Sequence, residues 1–133
     1  MQRWYPEYQT RDVDILDYHE FTVPGCDVKF RGPGFDPFTV EEGSFFTCLG
    51  AAQTYGCFFE DPFPNILADK IGLKALNLAV GGTGPGFYLQ YPALIDAMNR
   101  GKFVILQCMA ARHETNTRFE ADGYVEFVKD RIK

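Results

Sequence analysis

The stretch Phe45–Gly56, in one-letter code FFTCLGAAQTYG, constrains the fold more than any other part of this chain. A nearly continuous apolar run of strand length ends at Gly50, and small residues follow where a helix has to begin. A run of that kind suits a strand covered on both faces, as in a parallel sheet. Strand, tight turn and helix in that order form the corner at which open α/β sheets hold their ligands. Such a corner ordinarily carries a nucleophile or a phosphate cradle, whereas this chain carries Ala51 and Ala52.

Two further apolar runs repeat the pattern. Ala75–Val80 opens into the glycine-rich loop Gly81–Gly86, and Phe103–Met109 opens into a polar loop over 110–117. Between the first two runs, Phe63, Ile66, Leu67 and Ile71 recur at helical spacing, with Asp61 as cap, a proline in the first turn and Gly72 as stop. Between the second and third, Phe87–Arg100 reads as one helix ending at Gly101, and after the third, Tyr124–Ile132 reads as a closing helix. Strands alternating with helices predict a parallel sheet with helices on both faces, an α/β core over residues 45–133. Residues 1–44 read as an N-terminal extension packed on that core, with a turn at Pro24-Gly25 and a short edge strand over Cys26–Arg31.

Charge and cysteine usage narrow the partners. The formal net charge is −5 and no basic cluster stands out, which argues against nucleic acid and anionic membrane surfaces. No run approaches the ~20 apolar residues of a membrane span, and the N-terminal residues lack the apolar core of a signal peptide. Cys26, Cys48, Cys57 and Cys108 form no CxxC pair and no metal-ligand spacing, so the expectation is reduced thiols, a cytoplasmic location, no metal and no cofactor. Oligomeric state is not legible from these residues.

Taken together, Leu49–Gly56, Pro62–Leu67 and Asn77–Gly82 resemble the first half of the SGNH (GDSL) hydrolases, which are three-layer α/β/α esterases and acyl hydrolases. Phe30-Arg31-Gly32-Pro33, Thr54-Tyr55-Gly56-x-Phe58, Pro62-Phe63-Pro64, and Gln107-x-Met109 leading to Asn116-x-Arg118-Phe119 are similar to an uncharacterised bacterial branch of that fold. The resemblance implies a three-layer α/β/α sandwich with a short parallel sheet, in a chain shorter than the family's domains. It also places the nucleophilic serine at Ala52, the acid before it at Ala51, and the oxyanion-hole glycine at Gly82. A methyl group cannot attack a carbonyl, so the family's own hydrolytic route is absent. The only serine, Ser44, precedes the strand. The third-strand motif Gly-x-Asn-Asp is replaced by Gln107-Cys108-Met109-Ala110-Ala111, and the late Asp-x-x-His has no match.

The leading expectation is therefore a catalytically degenerate domain that binds a small polar, acylated or glycan-related ligand. Ala52, Gln53, Thr54 and Gly82 would line the corner, and Arg31, Arg112 and Arg118 would supply cations for a carboxylate, phosphate or sulfate. A second reading is a hydrolase or group transferase in which His113 is the base and Cys57 or Thr54 a nonstandard nucleophile. A third is a structural or interaction subunit that docks through its N-terminal extension. Against these stand simpler readings: a glycine-rich turn without a ligand, a solvated loop histidine, and arginines paired with some of the 18 acids.

Overall fold

The computed structural model describes residues 14–110, 114–121 and 128–132. The chain first forms a small antiparallel ladder, β1 (Phe21–Thr22) on β2 (Lys29–Phe30). Pro24-Gly25 makes the turn between them: Gly25 takes φ +87, and the Cys26 N–H donates to the Val23 carbonyl at 2.9 Å. This ladder is separate from the main sheet, so Cys26–Arg31 does not form its edge.

The expected central strand is β3 (Phe45–Leu49), buried along its whole length. After the Gly50-Ala51 turn comes a single helical turn, α1 (Ala52–Tyr55), followed by α2 (Phe63–Ile71), β4 (Lys74–Asn77), α3 (Gly86–Leu89), α4 (Pro92–Arg100) and β5 (Val104–Leu106). Three strands make one parallel sheet in the order β4-β3-β5, with Thr47 opposite both Leu76 and Val104. The protein is thus mixed α/β, built on a small parallel three-stranded sheet with few helices.

Three expectations need correction. The helix expected over Phe87–Arg100 is two helices, because Pro92 has no N–H for the preceding turn and its ring clashes there. Asp61 does not cap α2: Pro62 occupies the cap position with no side-chain bond, and Pro64 sits in the first turn, where a missing N–H costs nothing. The closing helix is absent from the described part of Tyr124–Ile132. Instead β7 (Val128–Asp130) pairs antiparallel with β6 (Phe119–Ala121), which sets Glu120 opposite Lys129. Opposite charges across a ladder favour that pairing, and the pattern of Tyr124, Phe127, Val128 and Ile132 did not distinguish it from a helix.

The extension and the sheet share one core. Val23, Val28 and Phe30 pack in the same buried cluster as Phe45, Leu76, Leu78, Phe87 and Leu94. Along 76–80 the side chains alternate: Leu76, Leu78 and Val80 join that cluster, while Ala79 joins a second one with Tyr18 and Tyr55. That period of two marks a strand covered on both faces. Arg100 fastens the extension to α4 by donating to the carbonyls of Pro37 and Val40 at 2.9 and 2.8 Å. The coverage is uneven, however. Val104 and Leu106 on β5 are 42% and 60% exposed.

Candidate functional site

Strand order locates the functional corner. From β3 the chain crosses to β4 on one side, then returns past β3 to β5 on the other. The carboxyl ends of β3 and β5 therefore flank the point where the winding reverses, which is where open α/β sheets leave a crevice.

Gln107 fills that crevice. Its backbone N–H donates to the Leu49 carbonyl at 3.0 Å, which extends the β3–β5 ladder and aims the side chain at the turn. Oε1 of Gln107 accepts from the Ala51 N–H at 3.1 Å and from Thr54 Oγ1 at 2.6 Å. Its Nε2 donates to Gln53 Oε1 at 2.9 Å. Because a backbone N–H can only donate, the carboxamide atom facing Ala51 has to be the oxygen. Gly50 makes the approach possible: a Cβ there would overlap Gln107 Oε1 and Thr54 Oγ1.

Behind the turn the loops are locked together. The Gly50 N–H donates to the Tyr88 hydroxyl at 3.0 Å, and that hydroxyl donates to the Leu78 carbonyl at 2.9 Å, with the Gly50 carbonyl at 3.2 Å. Burial pushes the Tyr88 phenol above its usual range, so it stays neutral and able to donate. Thr83 Oγ1 donates to the Val80 carbonyl at 2.7 Å. Asn77 bridges β4 to α1 by donating to the Thr54 carbonyl at 2.8 Å and accepting from the Ala79 N–H at 3.1 Å. The Glu114 carboxylate closes over the glycine-rich loop and accepts from the Gly86 N–H at 2.7 Å.

The expected site residues separate into three groups. Thr54 and Gln53 both bond to the Gln107 side chain, Ala52 opens α1 beside them, and Gly82 (φ +75, a conformation that favours glycine) lies in the neighbouring loop. Arg31 is not at the mouth: it is 2% exposed, and its guanidinium donates to the carbonyls of Gly56, Phe59 and Glu60 at 2.8–2.9 Å. It holds the loop after α1 in place, and burial lowers its pKa. Arg118 sits on the β6–β7 ladder, 3.5 Å from Asp130 and over the Phe119 ring. His113 and Arg112 lie outside the described residues. Cys57 is partly buried and packs against the cluster of Tyr18, Tyr55 and Ala79. Cys48 is buried in β3, with its thiol pushed up to about 12.

Tyr88, which in sequence is one residue of the expected Phe87–Arg100 helix, and Gln107, which sequence reasoning gives no site role, organise the corner. For Gln107 the available signal was a carboxamide at the end of an apolar strand, level with the turn of the neighbouring strand. A cleft of about 710 Å³ lies at the opposite end of the sheet, lined by Gly34, Phe35, Asn65, Asp69 and Lys74 among others. None of the expected site residues that are described lines it.

No group of three His, Cys, Asp or Glu side chains among the described residues is placed to hold a metal ion. No described helix is long and apolar enough to cross a membrane. Residues 7–122 match a family model described as a domain of unknown function (DUF6473). No curated protein and no solved structure matches the chain.

Proposed function

The chain belongs to the family described as a domain of unknown function (DUF6473), and from the geometry of its corner we propose that it is a catalytically degenerate SGNH-hydrolase-like domain that binds a small polar, acylated or glycan-related ligand. One observation carries this reading. The hydroxyls of Thr54, Thr83 and Tyr88 all donate to oxygen acceptors inside the fold, and Ala51 and Ala52 present only methyl groups. A nucleophilic hydroxyl has to give its proton to a base. That of Thr54 gives it to a carboxamide oxygen, which is not basic enough to accept it. The Cys48 thiol, held neutral and buried within β3, offers no alternative.

Assay with short- and medium-chain p-nitrophenyl acyl esters tests the proposal. The expected result is hydrolysis at the buffer rate. Turnover that disappears on a single substitution, Thr54→Val or His113→Ala, contradicts it.

A second reading, an interaction subunit, is favoured by a specific surface. Phe58, Phe59, Phe63, Ile66 and Ile71 are between 42% and 67% exposed and lie on α2 and the loop before it. Light scattering decides this reading: a concentration-dependent mass that Phe63→Ser with Ile66→Ser removes supports it, and a monomer at every concentration removes it.

A further inference from the structure

The cleft at the amino end of β4 has a volume of about 710 Å³, within the ~300–1,000 Å³ of small-molecule sites. Packing fixes its two walls. One wall is α2, on which Asn65 and Asp69 stand one turn apart, with Asp61 just before the first turn. The other is the Gly34-Phe35 loop. Gly34 lies so close to the Phe21 ring that a Cβ would overlap it, and the Phe35 ring meets Phe45 edge-on with centroids 5.3 Å apart. Between the walls, the small residues Ala68 and Gly72 keep the space clear. A Cβ on Gly72 would meet nothing within 4 Å.

The polar groups on this cleft are not consumed by the fold. Asp69 stands in the last turn of α2, where the helix dipole disfavours a negative charge. No described residue gives Asp69 or the Asn65 side chain a hydrogen bond or an ion pair. An acid that breaks a local rule without a compensating partner marks a place where function is expected. Lys74 reaches no carboxylate among the described residues either. Its ammonium lies over the Phe35 ring, 5.4 Å from the centroid.

We propose that this cleft binds a neutral, polyhydroxylated molecule of about the size of a monosaccharide. The charged groups specify the class. Carboxylates only accept hydrogen bonds and an ammonium only donates them, whereas each hydroxyl does both, so a polyol serves Asp61, Asp69 and Lys74 together. A cation would be repelled by Lys74, and an anion by the two acids and by a net charge of −5. Asp61 and Asp69 are separated by about two helical turns, ~12 Å along the axis, and so do not converge on a metal ion. The cleft and the corner lie at opposite ends of the sheet and stand or fall separately.

The test is a titration of the full ¹⁵N-labelled chain with D-glucose, D-galactose and myo-inositol, and separately with putrescine and sodium acetate. It is read at the amides of Asn65, Asp69, Gly72 and Lys74. Two variants accompany wild type: Ala68→Leu, which fills the cleft, and Asp69→Ala, which removes an acceptor and favours the helix. The expected outcome is saturable shifts at those amides with at least one of the three polyols. Binding should be about tenfold or more weaker in Ala68→Leu and about fivefold or more weaker in Asp69→Ala. Putrescine and acetate should each bind about tenfold or more weaker than that polyol. Either of them binding as tightly as the polyol overturns the neutral class. Shifts confined to Ala51 and Thr54, binding that Ala68→Leu leaves unchanged, or no saturable shift with any polyol each overturns the cleft as the site.

Discussion

The helices α2 and α4 are alike in sequence and opposite in use. Each spans nine residues, carries a proline in its first turn, ends at a glycine and has a basic residue in its last turn. The apolar stripe of α4 goes inward: Leu94 and Ala97 are fully buried against β3 and β4 residues. Most of the α2 stripe faces outward: Phe63, Ile66 and Ile71 are 42–46% exposed, Leu67 is half-buried, and only Pro64 is buried. Spacing of apolar residues determines that a helix forms and which face is apolar. What covers that face depends on neighbours that local periodicity does not encode.

The largest effect that separates the two helices is Leu94→Ala, expected to cost about 3 kcal/mol because it leaves a cavity under α4. Urea denaturation of the variant measures it, and a cost below about 1 kcal/mol would mean that α4 is not the principal cover of the sheet. Gly50→Ala should come next, at about 2 kcal/mol, because the added methyl overlaps Gln107 and Thr54. It should also displace the Ala51 amide resonance. Tyr88→Phe removes the hydroxyl that serves the Gly50 N–H and the Leu78 carbonyl, leaving both buried, and should cost about 1–2 kcal/mol in the same denaturation series.

Titration sharpens the contrast further. Cys48 and Tyr88 both have folded-state pKa values raised by burial, so the unfolded chain loses these protons at lower pH than the folded one. Stability contributed by the two neutral groups is complete below pH 9. It declines as pH rises through the unfolded thiol value of 9.0 towards the folded value of about 12. Denaturation midpoints measured from pH 7 to 11 should be flat and then fall, and Cys48→Ala should fall less steeply than wild type. At the small end, Ile66→Ser on α2 should change stability by no more than about 0.5 kcal/mol. A cost near that of Leu94→Ala would show that the α2 stripe is covered in solution.

Much of the fold was legible. Phe45–Leu49 had the continuous apolar run of a doubly covered strand, Gly50 marked the turn, and Gly72 marked the end of α2. The breaks were harder. Pro92 splits what reads as one helix, and Val128–Asp130 pairs across a ladder that local spacing does not reveal, with Glu120 opposite Lys129 and Arg118 3.5 Å from Asp130. At the corner, Thr54, Gln53 and Ala52 were identified because they follow the turn in sequence. Gln107 was not assigned a role, since its contacts lie more than 50 residues away. Arg31 was misplaced for a related reason. A cation between Phe30 and Gly32 shows nothing, in sequence, of the carbonyls of Gly56, Phe59 and Glu60 that receive it.

The central claim is that this corner holds a ligand and carries no activated nucleophile. The most direct measurement is the intact mass of the folded protein after incubation with a fluorophosphonate, which forms a stable adduct only with an activated hydroxyl. The account predicts an unchanged mass. A single stoichiometric adduct on Thr54, lost when the protein is unfolded before treatment, would contradict it.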